Sequence, residues 1–295
     1  MQKMFSDKKA VIFFLLPGIV LFTVILFIPI CYCVYISLCE WNVLTVPKFI
    51  GLNNYIMLFT KDSIFITAIK NSIFFMIFSV VSQLIVGLAY AAILTNMKRG
   101  RNFFKNVIYL PCVLSSAALG LLFCFLLKPT IGLNQLLSLL GIQGPLWLTE
   151  YKGFIPLPMW VIAFIALWQY VGQSMMLYMA QIASINGSLY EACYVDGGNR
   201  LQAFSHITLP LVKPMIATCV SLNCIGSLKF FDLVYNMTQG GPNHVTENIA
   251  TWLYYQGFHF FKYGYGSSIA VVLLLMCLLV TLIVNKALKT ENYEM

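Results

Sequence analysis

The sequence predicts an all-α integral membrane protein of six transmembrane helices, with both termini on the cytoplasmic side. Three observations carry this. Hydrophobic residues make up 60% of the 295-residue chain and charged residues 9%, with a mean hydropathy of +0.84. Soluble domains carry about a quarter charged residues, and a chain of this length could not hide so much apolar surface without lipid as its solvent. Apolar runs of the length that crosses a hydrocarbon core, about 20 residues, recur along the chain. The net charge of +8 is placed just outside these runs, at Lys3, Lys8 and Lys9, at Lys98, Arg99, Arg101 and Lys105, and at Lys286 and Lys289. That is the positive-inside pattern, not a stripe for phosphates, so nucleic acid is excluded as a partner.

The first span, 11–38, carries no charge from Val11 to Leu38. It is longer than the apolar region of a cleaved signal peptide and lacks a small-residue cleavage site, so it reads as a retained helix kinked at Pro17 and Pro29. Further spans are expected at 72–94, 107–127, 157–182, 211–234 and 267–284. The fifth is the least marked. Its uncharged stretch runs only from Pro214 to Leu228, between Lys213 and Lys229, a length that also suits an interfacial or re-entrant segment. An even count and the charge bias favour crossing. The loops placed inside are the N-terminus, 96–106, 183–210 and the C-terminus. The loops placed outside hold base more thinly, at Lys48, Lys61, Lys128, Lys152 and Lys262, with Lys70 and Lys229 at their margins. Trp41, Trp147, Trp160 and Trp252 fall near the outer boundaries as an aromatic belt would. Turn residues mark the outer loops at 130–134 and 238–243. No internal repeat divides the chain, which reads as one domain, 1–295.

The nine cysteines sit mostly inside apolar stretches, without CxxC or Cys/His spacing, and read as small apolar fillers with no metal site. Between the fourth and fifth spans the chain turns polar. Ser184 or Asn186 can cap a short helix over Ser188–Val195, Gly197-Gly198 breaks it, and Arg200–Thr208 forms a second, amphipathic helix. Pro210 and Pro214 mark the return to the membrane. Two short helices around a glycine turn make a compact knob, with Glu191 and Asp196 before the turn and Arg200 after it. An ordinary solvated loop would explain a lone Glu-Ala pair. The glycine spacing and the Ile-x-Leu-Pro ending speak against that.

Glu191-Ala192-Cys193, then Gly197, then Ile207-Thr208-Leu209-Pro210 resemble the signature loop of permease subunits of binding-protein-dependent ABC importers. There the pattern is Glu-Ala-Ala, three residues, Gly, nine residues, Ile-x-Leu-Pro; Cys193 stands where a second alanine is usual. The likeness covers nearly the whole chain, including Leu88–Pro111, Trp168-Gln169, and Phe231–Pro242 with Thr246-Glu247. The last of these is similar to the carbohydrate-uptake branch, and within it to the larger maltose-transporter permease and the glycerol-phosphate permease. The resemblance implies the importer permease fold and assigns coupling to an ATPase to Glu191, Ala192, Cys193, Asp196, Gly197, Ile207, Leu209 and Pro210. Glu191 would be the polar contact and Gly197 the turn. It implies as partners a second permease in a heterodimer, two copies of a cytoplasmic ATPase that hold ATP and Mg2+, and an extracellular solute-binding protein. No cofactor falls to this chain. The implied cargo is a sugar, oligosaccharide or polyol derivative.

By position, the family's substrate contacts match Ser116, Gln169, Tyr170, Gly226 and Lys229, and Gln173 and Asn223 lie about one turn from members of this set. Hydrogen-bonding side chains and aromatic faces in an apolar cleft suit neutral sugars. The same side chains also bond membrane helices to one another. Lys229 marks function if it lies within the membrane and nothing if it snorkels to the interface. An ion-coupled secondary transporter is the alternative, but such proteins bury carboxylates in their spans. The acids here, Asp7, Glu40, Asp62, Glu150, Glu191, Asp196, Asp232, Glu247, Glu291 and Glu294, fall outside the well-marked spans. An embedded enzyme is disfavoured, because HExxH and GxSxG are missing and His206, His244 and His259 are scattered over loops. The chain also has no phosphate-binding G-x-x-x-x-G-K-[ST] loop, so no catalytic residues are assigned and energy must come from a partner.

Overall fold

The computed structural model describes residues 8–150 and 153–288. Lys3, Asp7, Lys152, Lys289, Glu291 and Glu294, on which the charge reading partly rests, lie outside the described residues. Five helical runs are long and apolar enough to cross a membrane: Ile12–Ser37, Ser63–Asn96, Leu157–Ala183, Arg200–Thr238 and Tyr263–Ala287. A sixth crossing results if Arg101–Val113 and Ser116–Leu126, which meet at 91°, count as one. The chain divides into two compact units, the residues up to Asp62 with Leu253–Val272, and Ser63–Trp252 with the residues from Leu273 onward.

The first unit opens with α1 (Lys8–Phe22) and α2 (Ile28–Ser37), joined by a π turn over Thr23–Phe27. Proline has no N–H and its ring crowds the carbonyl a turn earlier. The wider turn, in which Ile28 N–H reaches the Thr23 carbonyl, falls just before Pro29 and carries the helix past it. The helix presents apolar side chains on all sides, as a lipid-facing segment must. It ends in a hairpin of β1 (Cys39–Glu40) and β2 (Lys48–Phe49), paired Cys39↔Phe49 and Glu40↔Lys48, followed by α3 (Asn53–Thr60). Buried Asn54 ties helix to hairpin by donating to the Ser37 carbonyl at 2.9 Å and the Cys39 carbonyl at 3.0 Å. In the same unit the Tyr265 hydroxyl donates to Asp62 at 2.7 Å.

The second unit holds α4 (Ser63–Asn96), α5 (Arg101–Val113), α6 (Ser116–Leu126), α7 (Leu133–Leu139), α8 (Leu157–Ala183), α9 (Gly187–Val195), α10 (Arg200–Ala203), α11 (Leu209–Leu228) and α12 (Asp232–Thr238). Helices α13 (Ile249–Tyr254) and α14 (Tyr263–Ala287) complete the chain. The core lies between α4 and α8, where small residues let backbones approach. A Cβ on Gly87 would stand 3.0 Å from that of Ser174, and one on Gly172 would stand 2.7 Å from the Tyr109 Cα of α5. Between them runs a buried polar chain: Ser174 donates to Gln83 at 3.1 Å, and Gln83 to Ser79 at 2.8 Å.

Three elements differ from the sequence expectation. The second helix begins at Ser63, not 72, because Asn71 and Ser72 find partners. Asn71 donates to the Val245 and Glu247 carbonyls at 2.8 Å each, and the Ser72 hydroxyl accepts from Ile249 N–H at 3.0 Å. The third span is not straight over 107–127. Leu114 and Ser115 adopt extended backbone (ψ 145° and 126°) just after Pro111, and the helix restarts in a new direction at Ser116. The return to the membrane is not punctuated at Pro210 and Pro214. A π turn over Phe204–Thr208, closed by Leu209 N–H on the Phe204 carbonyl, merges α10 into α11 and carries the helix through both prolines. That helix then stops at Leu228, short of the expected 234, and resumes as α12 after Lys229–Phe231.

Candidate functional site

The signature loop is built by local chemistry. The Asn186 side chain accepts from Ser188 N–H at 3.1 Å and starts α9, while Ser184 closes the preceding helix by donating to the Gln181 carbonyl at 2.7 Å. At the other end Gly197 takes φ +80°. Its N–H bonds the Tyr194 carbonyl at 3.1 Å and that of Gly198 bonds the Cys193 carbonyl at 2.8 Å, the paired bonds of a Schellman stop. The sequence reading gave Gly198 to the helix break but left it out of the coupling set. A Cβ there would stand 2.5 Å from the Cys193 sulfur, so the second glycine is required by the close approach; the Gly-Gly pair was the available signal. Asn199 and Gln202 then cap α10 reciprocally, at 2.7 and 2.9 Å.

The Tyr190 and Thr208 hydroxyls, 2.9 Å apart, bind the two helices into one body. Its free face carries Glu191, Ala192 and Asp196 beside exposed Leu189, Val195 (87%) and Leu201 (75%). Leu209 and Pro210 are also exposed, Cys193 is half-buried, and Ile207 turns inward against the buried cluster that includes Val212. The exposed side of this body is apolar, with Glu191, Asp196 and Arg200 at its rim.

A second group forms at the bend between α5 and α6. Gln169, 1% exposed, donates from Nε2 to Ser116 Oγ at 2.9 Å and to the Leu114 carbonyl at 3.2 Å. Ser116 and Tyr170 hydroxyls meet at 2.8 Å. The Gln169 Oε1 acceptor is buried without a partner among the described residues. Tyr170 packs edge-on to Phe230 with centroids 6.3 Å apart, and Phe230 stacks on Phe75 at 4.6 Å. Ser116, Gln169 and Tyr170 are thus brought together. Gln173 is exposed on α8, Asn223 is half-buried and Gly226 exposed on α11, and Lys229 is exposed as its cap. A Cβ at Gly226 would meet no atom within 4 Å, so that face of α11 borders open space.

Sequence reasoning gave no role to Glu247, which is fully buried. One of its oxygens pairs with His244 Nδ1 at 3.0 Å, and the other accepts from the Thr251 hydroxyl. Burial pushes its carboxyl above the ordinary carboxylate range. Gly240 adopts φ +77°, and a Cβ there would overlap the Glu247 carboxylate. Thr246 donates to the Thr238 hydroxyl and the Gly241 carbonyl, both at 2.8 Å. The Thr-x-Gly-Gly-Pro turn is therefore fitted around this one acid.

Residues 83–289 match the family described as binding-protein-dependent transport system inner membrane component. The chain is 37% identical over 286 residues to YurN of Bacillus subtilis, a probable ABC transporter permease protein, covering 95% of this chain and 96% of that one. It is 33% identical over 272 residues to LacF of Rhizobium radiobacter, a lactose transport system permease protein, covering 89% and 88%. A chain in the crystal structure of a bacterial ABC transporter involved in the import of the acidic polysaccharide alginate shares the fold with a TM-score of 0.83 at 25% identity, over 98% of both chains.

Proposed function

Because the chain belongs to the binding-protein-dependent transport system inner membrane components, we propose that it is one of two permease subunits of an ATP-driven importer for a sugar, oligosaccharide or polyol derivative. The family makes it a multi-pass membrane transport subunit. The partners in this reading are a second, similar permease, two copies of a cytoplasmic ATPase that binds ATP and Mg2+, and an extracellular solute-binding protein. Both termini and the 183–210 loop face the cytoplasm.

The observation that carries this is the helix–glycine–helix knob over Gly187–Thr208, whose exposed side is apolar with a mixed-charge rim. Since α10 and α11 are one continuous helix, force applied to the knob moves the fifth span without an intervening hinge. Glu191 supplies the polar contact, and Gly197 shapes the stop that presents it. For the pathway, Gln169, Tyr170 and Ser116 at the bend contribute an unsatisfied acceptor, a hydroxyl pair and an aromatic face, the groups that grip polyhydroxylated solutes. Gln173, Asn223, Gly226 and Lys229 extend this line. Against ion coupling, the acid buried among the described residues, Glu247, lies outside the spanning helices and has both oxygens engaged.

The test is reconstitution with the neighbouring gene products. Gly197→Asp and Glu191→Lys insert normally and leave ATP hydrolysis running while uptake of labelled solute is lost. Normal uptake by both variants would remove the docking assignment.

A further inference from the structure

Between the knob and the end of α4 lies a cavity of about 320 Å³. Its size is that of a small-ligand site, about 300–1,000 Å³. One wall is the last turn of α4, with Ala92, Thr95 and Asn96; the other is the inner side of the knob, with Tyr190, Tyr194 and Arg200.

The one charged group among the described residues lining this cavity is Arg200. No carboxylate lines it, and Arg200 has no carboxylate partner among the described residues. On the same wall, Tyr190 and Thr208 share one hydrogen bond between two hydroxyl protons, which leaves one proton to donate. Opposite, the Thr95 hydroxyl donates to the Ala91 carbonyl at 2.7 Å and Asn96 Nδ2 to the Ala92 carbonyl at 2.8 Å. The α4 wall therefore offers the Thr95 and Asn96 side-chain oxygens as open acceptors, beside the second N–H of Asn96. Ala92, Ile182 and Phe204 supply apolar surface between the two. A guanidinium with hydroxyl donors matches a phosphate, and facing acceptors match hydroxyl groups on a short carbon skeleton.

From this arrangement we infer that the cavity binds a phosphate ester carrying free hydroxyls. Two sources have this chemistry, the headgroup of an anionic phospholipid and a soluble polyol phosphate. The bases that follow α4 (Lys98, Arg99, Arg101 and Lys105) attract either, and basic clefts at helix ends hold anionic headgroups in other membrane proteins. A bound ester bridges the ends of α4 and α8 to both short helices and braces the knob. This stands on the cavity itself and not on the transport reading, so it is tested on the full chain without partners.

The experiment places the full-length chain in nanodiscs of phosphatidylcholine, of phosphatidylcholine with phosphatidylglycerol, and of phosphatidylcholine with soluble sn-glycerol 3-phosphate. Amide exchange over Gly187–Thr208 is then measured. At about ten times its Kd, a ligand released on opening slows exchange there about tenfold. Slowing with phosphatidylglycerol alone assigns the lipid, and slowing with the soluble ester assigns the metabolite class. Arg200→Gln abolishes the response, and so does Ala92→Phe, which fills the cavity from α4, whereas Lys213→Gln retains it. If neither ester slows exchange, or if the slowing persists in Arg200→Gln, the inference fails.

Discussion

Glu247 shows what one residue does here. Its carboxyl is buried against a turn that only Gly240 leaves open, and burial disfavours the charged form. With the folded value raised above the unfolded one, the neutral acid stabilises the 239–252 turn fully below about pH 4.5, its ordinary value. That contribution is lost as pH rises through the raised value. His244, 44% exposed, offsets part of the loss when its ring is protonated. Amide exchange over 239–252, corrected for its intrinsic pH dependence, is expected to speed up across that interval. Glu247→Gln, which keeps the shape and the acceptor, should flatten the profile. An equal slope in wild type and Glu247→Gln would remove the carboxyl as the cause. The sequence marked Thr246-Glu247 only as part of a family likeness and gave no sign of the burial or of the partners.

At the scale of elements, α8 organises the second unit, and its small residues decide how near its neighbours come. Gly172 faces the Ile108–Tyr109 backbone of α5 with no room for a side chain. Gly172→Val is expected to cost about 1–3 kcal/mol by overpacking. The measurement is the denaturation midpoint in detergent compared with Gly18→Val, a position with nothing within 4 Å. Equal midpoints would show that the α5–α8 crossing is not tight. The α5–α6 bend belongs to this scale too. Pro111 and the extended Leu114 and Ser115 permit it, but Gln169, reaching from α8 to the Leu114 carbonyl, holds it. The sequence reading ran the third span straight through Pro111 and gave neither the bend nor its 91° angle.

For the whole molecule the prediction concerns sidedness, which the proposed function requires and charge placement predicts. In a background with the nine cysteines replaced, Leu189→Cys is expected to react with an impermeant thiol reagent only after the cytoplasmic side is opened. Asn243→Cys should react in intact cells. The opposite pattern would invert the topology and place the knob out of reach of any cytosolic motor.

The sequence alone determined that lipid is the solvent, how many crossings to expect, and the caps and glycine stop of the signature loop. Each depends on neighbours in the chain: span length and apolarity answer to bilayer thickness, and Asn186, Gly197 and Asn199 satisfy backbone groups within a few residues. Only tertiary structure decided the rest. Gln169 meets Ser116 across 53 positions and Asn71 meets the Glu247 carbonyl across 176. Periodicity carries no information about partners that far away, because their pairing is set by which helices pack together and how closely glycines let them come.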